Sequence, residues 1–243
     1  MTDQWLGIGI HPSWQEFLSD YRWRQLADIR RQVGNGYNPA PENVLHFLKT
    51  DLNRLQVVIL GQDPYPQPGI ATGRAFEVGG LASWLTPFPQ TSLRNILRLL
   101  YKASQLISEY DQIPSFITIR NYIQAGTWRI LPPDQLFAFW EQQGVLLLNT
   151  CFTVNGAPLE HKPIWLEFTR DLLQYISWQR SDLRWFLWGK SAQEFLPWID
   201  FGVIYPSRHP MMCSPKYEDD FLKAEYFQET WDLINWLGIS DKR

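Results

Sequence analysis

The chain has 243 residues, 45% of them hydrophobic and 15% aromatic, which is enough apolar material for the core of one α/β domain. Its 22 basic and 25 acidic residues give a net charge of −3, which is not typical of a strongly basic nucleic-acid binder. A net charge of this size is still compatible with a local cationic surface. Cys151 and Cys213 have neither CxxC spacing nor a histidine-rich neighbourhood, which argues against a zinc site and a disulfide framework. With no signal peptide and no apolar run of membrane-spanning length, we expect a cytoplasmic protein.

The hydrophobic pattern predicts strands and helices in alternation. Short, continuously apolar runs are typical of strands in a parallel sheet covered on both faces, whereas apolar residues spaced by three and four predict helices. In chain order the pattern predicts a helix at residues 14–33, a strand at 55–60, a helix at 91–107, a strand at 145–148, a helix at 166–178, a strand at 184–188, a helix at 192–198, a strand at 201–205 and a helix at 219–237. We therefore expect one domain, residues 1–243, built as a three-layer α/β/α sandwich around a four-stranded parallel sheet.

Polar side chains follow the four predicted strands. Asp63 comes after the first strand, Asn149 after the second, Lys190 after the third and His209 after the fourth. Ligands of open parallel sheets bind outside the carboxyl ends of the strands, so these side chains are expected to converge on one edge of the sheet.

Two of these residues allow both a structural and a chemical interpretation. An Asp before a proline commonly caps a turn, but a carboxylate held rigidly at the sheet edge can also polarise water or face a cation. A lone histidine is usually structural, yet the strand pattern directs His209 to the same edge as Asp63. Together the two residues favour a chemical role over a purely structural one.

Several motifs resemble those of one enzyme family. VVILGQDPYP (residues 57–66) resembles the water-activating motif of family 1 uracil-DNA glycosylases, which is usually GQDPYH, and the resemblance continues through Gly69, Gly73 and Phe76. There follow, in family order, TSLRNI (91–96), LLLNT (146–150), the pair His161 and Lys162, FTRDLL (168–173), LWG (187–189) and RHP (208–210). Motifs in family order are far more specific than one motif alone. The resemblance implies an α/β/α sandwich and a monofunctional glycosylase that flips uracil out of DNA, hydrolyses its N-glycosidic bond and so starts base excision repair.

The resemblance also implies roles in catalysis. Asp63 would orient the attacking water and face the positive charge that develops on the sugar. His209 would donate a hydrogen bond to uracil O2, with the backbone amide of Gln62 as the second donor. Groups preorganised toward developing charge are usually the largest catalytic contribution.

Recognition of the base falls to three other residues of the resembling motifs. Phe76 would stack on uracil, although core packing explains this residue equally well from the sequence alone. Asn149 would accept from N3–H and donate to O4, a pattern that cytosine reverses. Tyr65 would crowd the C5 position and so exclude the methyl group of thymine.

The DNA-contacting positions depart from the family pattern. The resemblance assigns DNA contacts to Ser92, Lys190, Met211, Met212, Cys213 and Ser214. Pro66 stands where a histidine is usual, Lys190 and Met211 replace phosphate-contacting serines, and Cys213 falls where an intercalating leucine is usual. Either Met212 serves as the wedge, or the enzyme lacks a strong wedge and depends on loosely stacked uracil. The second alternative is favoured, because a shift of one residue along a tight loop redirects the side chain.

Two other functions compete with a working glycosylase. A catalytically weak relative that binds DNA as an accessory or clamp protein would suit the altered DNA-contacting residues, but the retained catalytic and pocket residues argue against it. An unrelated α/β hydrolase or nucleotide binder lacks support, since there is no phosphate loop and no nucleophile elbow. The expected partner is uracil-containing DNA, single- or double-stranded, for a monomer with no metal, no organic cofactor and no membrane partner.

Overall fold

The computed structural model describes Trp5 and residues 9–239, and within them four strands form one parallel sheet. The strands are β1 (Val57–Gly61), β2 (Val145–Asn149), β3 (Arg184–Trp188) and β4 (Val203–Ser207). Their spatial order is β2-β1-β3-β4, and every pairing is parallel. The register sets Gly61 beside Asn149 and Trp188 beside Ser207, so all carboxyl ends lie at one edge. The predicted four-stranded parallel sheet is confirmed.

Eight α-helices are found in the described part of the chain. They are α1 (Asp20–Val33), α2 (Pro41–Val44), α3 (Thr91–Gln105), α4 (Phe116–Gln124), α5 (Pro133–Gln142), α6 (Lys162–Gln179), α7 (Lys190–Gln193) and α8 (Tyr226–Glu229). Short 3₁₀ turns, including Pro12–Trp14, His46–Lys49, Leu196–Trp198 and Phe221–Lys223, connect them. None of the described helices has both the length and the apolar character needed to cross a membrane.

Both faces of the sheet are covered, and alternate strand residues enter different cores. Val58 and Leu60 pack with residues of α1 and α6, whereas Val57 and Ile59 pack with residues of α3, α5 and α8. All four side chains are fully buried. A strand that is covered on both sides needs apolar residues at every position, which explains the continuous apolar runs. The three-layer α/β/α architecture is confirmed.

The carboxyl-terminal region differs most from the prediction, because the helix predicted at residues 219–237 is wrong. The chain forms a 3₁₀ turn at Phe221–Lys223, an extended Ala224 and only the short helix α8. The Asp220 carboxylate accepts from the backbone N–H groups of Ser214 and Leu222, which turns the chain at this point. The aromatic side chains beyond it, Tyr226 and Phe227 among them, pack around the sheet from successive turns rather than from one helix face.

Other boundaries shift for local reasons. The first predicted helix begins at Asp20, because the preceding residues form the 3₁₀ turn Pro12–Trp14. The predicted helix 192–198 is divided into α7 and a 3₁₀ turn that contains Pro197, which has no N–H to continue a helix. β4 begins two residues late, at Val203, since Gly202 has a φ of +113°, outside the range of strands. Helices α2, α4 and α5 are absent from the prediction.

Candidate active site

A cavity of about 450 Å³ opens at the carboxyl edge of the sheet. β2 lies on one side of β1, and β3, the next strand in the chain, lies on the other side. The crevice between β1 and β3 is therefore a topological switch point, and ligands of such sheets bind at switch points. The cavity brings together most of the site residues predicted from the sequence, namely Gln62, Asp63, Tyr65, Phe76, Ser92, Asn149, Lys190, His209 and Met211. Met212, Cys213 and Ser214 follow Met211 on the same loop but do not line the cavity.

The carboxylate of Asp63 is held through both of its oxygens. Oδ1 accepts from Gln62 Nε2 at 3.0 Å, and Oδ2 accepts from the backbone N–H of Leu159 at 2.7 Å. The Gln62 side chain is itself oriented, because its Oε1 accepts from Ser191 Oγ at 2.9 Å. A group held in this way loses little orientational freedom when a substrate binds.

The loop that carries Leu159 is anchored from behind by buried polar groups. Thr153 Oγ1 accepts from Trp165 Nε1 at 2.7 Å and lies 2.9 Å from Nδ1 of His161. His161 is buried behind the loop and does not line the cavity.

The peptide between Gly61 and Gln62 has a defined orientation. The Gly61 carbonyl accepts from the Thr150 N–H at 3.0 Å, and the Gln62 carbonyl accepts from Thr150 Oγ1 at 2.8 Å and from the Cys151 N–H at 2.9 Å. In a trans peptide the N–H points opposite to the carbonyl, so the Gln62 N–H points away from β2. This amide is the one expected to contact uracil O2.

His209 lies directly against the turn after β3. A Cβ atom at Gly189 would stand 2.8 Å from His209 Cβ and 3.2 Å from its Cδ2, so only glycine permits this approach. The Met211 backbone N–H donates to His209 Nδ1 at 3.2 Å, which leaves the proton of the neutral ring on Nε2. Burial lowers the pKa of His209, and the negative charge of Asp63 opposes this only in part. The neutral ring with an Nε2–H donor is thus the stable form at neutral pH.

Asn149 and Phe76 share the floor of the cavity. A Cβ atom at Gly61 would lie 2.5 Å from Asn149 Oδ1 and 3.4 Å from Phe76 Cε2, so glycine leaves space for both groups. The Phe76 ring centroid is 5.0 Å from that of Trp188 and 6.0 Å from that of His209. Phe76 has a φ of +67°, a left-handed conformation that costs a side chain of this kind about 1–3 kcal/mol and that proteins retain mainly at functional sites.

Tyr65 and Pro66 form one wall, which a distant residue supports. Burial raises the pKa of the Tyr65 phenol, so the ring is neutral where it meets the cavity. The Pro66 carbonyl accepts from Asn38 Nδ2 at 2.7 Å. Asn38 could not be predicted as part of the site, because this contact joins residues far apart in the chain.

The loop after His209 is held at both ends and exposes two methionines. Asn95 Nδ2 donates to the Pro210 carbonyl at 2.6 Å, and the Ser214 N–H donates to Asp220 Oδ2 at 2.6 Å. The exposed fractions of Met211 and Met212 are 58% and 59%. Asn95 was missed by the sequence analysis, although a buried polar residue on the apolar face of a helix is the signal that would have found it.

Cys213 has a different environment from the two methionines. Its Sγ lies 3.5 Å from the Pro210 carbonyl, and its side chain packs against the core on the α3 side of the sheet. Burial, reinforced by the charge of Asp220, raises the pKa of the Cys213 thiol to about 12. The thiol therefore faces inward, whereas the methionines face solvent.

Two residues at the rim differ in charge and exposure. Ser92 belongs to the first turn of α3, and Lys190 is an exposed residue at the start of α7.

Among Trp5 and residues 9–239, no group of three or more His, Cys, Asp and Glu side chains is placed to hold a metal ion.

Solved structures of uracil-DNA glycosylases share this fold. A mimivirus uracil-DNA glycosylase superimposes with a TM-score of 0.67 at 23% identity, over 97% of this chain and 86% of that one. A wild-type UNG from Nitratifractor salsuginis superimposes with a TM-score of 0.67 at 24% identity, over 93% of each chain.

Sequence comparison identifies the family. The model of the uracil DNA glycosylase superfamily matches residues 49–235. The uracil-DNA glycosylase of Aeromonas salmonicida is 33% identical over 231 residues, which cover 91% of this chain and 90% of the relative. That of Sodalis glossinidius is 34% identical over 234 residues, which cover 92% and 89%. The chain belongs to the uracil DNA glycosylase superfamily of DNA-repair hydrolases, and the predicted resemblance to family 1 is confirmed.

Proposed function

We propose that this chain is a monofunctional uracil-DNA glycosylase that flips uracil out of DNA and hydrolyses its N-glycosidic bond. One observation carries the proposal: Asp63, held through both oxygens, and His209, with its proton on Nε2, line the same cavity. Membership of the family supports uracil-containing DNA as the substrate. The single sheet with a core on each face supports residues 1–243 as one glycosylase domain.

In the proposed reaction the uracil nucleotide first leaves the base stack, because a stacked base is out of reach of the enzyme. The flipped base lies on the Phe76 ring, and the Asn149 side-chain amide pairs with N3–H and O4. Both residues line the cavity beside Asp63, which supports these roles.

The bond between N1 and C1′ then breaks, and its electron pair goes to uracil. The negative charge that develops on O2 is met by the Nε2–H of His209 and the backbone N–H of Gln62, while the Asp63 carboxylate faces the sugar cation. Water held by Asp63 attacks C1′ and gives its proton to that carboxylate, which releases it to solvent, while the uracil anion takes up a proton from solvent, so the products are uracil and an abasic site. These roles need no redox partner and no covalent enzyme intermediate.

The test is incubation with an oligonucleotide that carries a single uracil, followed by hot alkali. Strand cleavage at the uracil position is the expected result. Retained DNA binding without cleavage would contradict the proposal and favour the accessory or clamp alternative. Absence of both binding and cleavage would contradict each of these functions.

The first prediction concerns selectivity, and it uses Tyr65→Ala. Removal of the phenol opens space for the C5 methyl group of thymine, so we expect measurable thymine excision, about 100-fold or more below uracil excision by the wild type. Oligonucleotides with a single T opposite A or G provide the measurement. Tyr21→Ala, which alters an exposed tyrosine on α1, is the control and should excise uracil only.

The second prediction concerns the wedge, which we assign to Met212 because Met212 is exposed while Cys213 faces inward. A long, flexible apolar side chain can fill the gap left by a flipped nucleotide. We expect Met212→Ala to lower excision from a U·A duplex by roughly 10-fold, since opening the pair costs a few kcal/mol, and to leave single-stranded DNA almost unaffected.

Rates on U·A, U·G and single-stranded substrates are the measurement for Met212→Ala. Ile117→Ala, at an exposed apolar position on α4, is the control. A duplex rate unchanged by Met212→Ala would favour the other alternative, in which the enzyme has no strong wedge and depends on loosely stacked uracil.

A further inference from the structure

The strained Phe76 lies in a short irregular segment, residues 73–77, that neither helix nor strand hydrogen bonds hold. One backbone contact ties it to the sheet, where the Ala75 N–H donates to the Leu147 carbonyl of β2 at 3.1 Å. A left-handed conformation of a bulky residue persists only when its surroundings determine it. Other contacts must therefore hold the segment.

The Arg74 side chain provides those contacts. Its NH1 donates to Glu77 Oε2 at 3.1 Å, so the guanidinium bridges from one side of Phe76 to the other. Its Nε and NH2 donate to Glu141 Oε2 at 2.9 and 2.6 Å. The planar fork of arginine can make these contacts at once, which the single ammonium group of lysine cannot.

Glu141 connects this arrangement to the body of the protein. It lies in the last turn of α5, and its second oxygen, Oε1, accepts from His46 Nε2 at 2.9 Å and from Thr50 Oγ1 at 3.2 Å. The turn His46–Lys49 packs against β2, so Glu141 joins the Phe76 segment to two rigid elements.

The network is sheltered from water. The exposed fractions of the Arg74, Glu141 and Glu77 side chains are 18%, 19% and 7%. Burial opposes the charge of Glu141, yet the hydrogen bonds and charges of His46 and Arg74 lower the pKa of Glu141 to about 2. Burial likewise opposes the charge of Arg74, and the two carboxylates more than compensate, so that the pKa of Arg74 is raised. Glu141 and Arg74 are therefore ionised together.

We propose that Arg74 and Glu141 are positioning residues that hold the Phe76 ring in its place beneath the base. Neither residue touches the reacting atoms in this assignment, and both act through the backbone of residues 73–77. The inference rests on the proposed function, because it takes Phe76 as the surface on which uracil stacks.

A double-mutant cycle of Arg74→Gln and Phe76→Ala tests the inference. Loss of base–aromatic stacking should lower kcat/KM for uracil excision by about 10- to 100-fold in Phe76→Ala. Arg74→Gln should lower it by about 10-fold in the wild-type background, since the ring is displaced, but by no more than about 2-fold in the Phe76→Ala background. Equal losses in both backgrounds would overturn the inference, because they would mean that Arg74 acts independently of Phe76.

Two further variants serve as a control and as an alternative to Arg74→Gln. Arg22→Gln removes the arginine of another partly buried ion pair, 2.5 Å from Asp171 and between α1 and α6, and should leave kcat/KM unchanged. Arg74→Lys keeps the charge but not the fork, and the same cycle is run with it if Arg74→Gln does not fold. For Arg74→Lys we expect a smaller loss of kcat/KM, and again a loss that depends on the presence of Phe76.

A crystal structure of Arg74→Gln, or of Arg74→Lys if only that variant folds, separates this inference from the proposed function. The expected result is that Phe76 leaves the left-handed region and that its ring moves away from Trp188. A Phe76 φ that stays near the present +67° would overturn the positioning role, whatever the activity. Failure of the wild type to excise uracil would instead refute the proposed function.

Discussion

Replacement of Asp63 by Asn is expected to lower the single-turnover rate of uracil excision by about 100-fold or more, with little change in DNA affinity. The new amide can still accept from the Leu159 N–H. It can also donate to the Gln62 side chain once that amide turns over, because the Ser191 hydroxyl can act as acceptor as well as donor. The hydrogen-bond network is thus retained, and the variant isolates the loss of negative charge beside the sugar cation.

The measurement for Asp63→Asn is the single-turnover rate on a uracil oligonucleotide at saturating enzyme, together with DNA binding by fluorescence anisotropy. Asp200→Asn is the matched control, since Asp200 like Asp63 accepts two hydrogen bonds, here from the Gln174 and Trp178 side chains, but lies away from the cavity. A rate within a few fold of wild type for Asp63→Asn would show that this carboxylate is not the catalytic group.

Loss of the His209 imidazole should have an effect of similar size. One preorganised donor to developing negative charge is typically worth 100- to 1,000-fold, so we expect His209→Ala to lower the rate by about 100-fold. A neutral ring suffices as donor, because the Met211 N–H occupies Nδ1 and leaves the proton on Nε2.

The pH dependence of the wild type provides a second measure of His209. Protonation would give Nδ1 a proton that clashes with the Met211 N–H, and burial already lowers the pKa of His209 below its usual 6.5. Excision should therefore stay constant as pH falls through 6.5 and decline only below it, with that decline removed in His209→Ala. His11→Ala, at a histidine remote from the cavity, should keep the wild-type profile. A rate that falls with a midpoint above 6.5 would contradict a neutral donor.

The sequence predicted the sheet well because strand identity here is a local property. Residues such as Val58 and Ile59 are apolar at successive positions, and the pattern depends only on burial on both sides. The polar residues after each strand could be placed at one edge because parallel strands share their carboxyl ends. Asp63, Asn149 and His209 accordingly meet at the cavity.

The contacts that orient these groups could not be predicted, since they join positions far apart in the chain. Leu159 reaches Asp63 through its backbone, which carries no sequence signature, and Arg74 reaches Glu141 across 67 residues. The helix predicted at residues 219–237 is wrong because tertiary packing overrides local helix propensity. Its spacing of apolar residues is compatible with a helix, but Tyr226 and Phe227 pack against Phe186 of β3 instead.

The position of β4 in the sheet divides the reaction centre into two parts of unequal local stability. β1, which precedes Asp63, is paired on both sides, whereas β4, which precedes His209, is paired with β3 alone and is partly exposed to solvent. Release of β4 requires the loss of one ladder of hydrogen bonds, and release of β1 requires the loss of two. Edge elements of this kind open at lower free energy than the core. We therefore expect the imidazole side of the centre to open at a lower free energy than the carboxylate side.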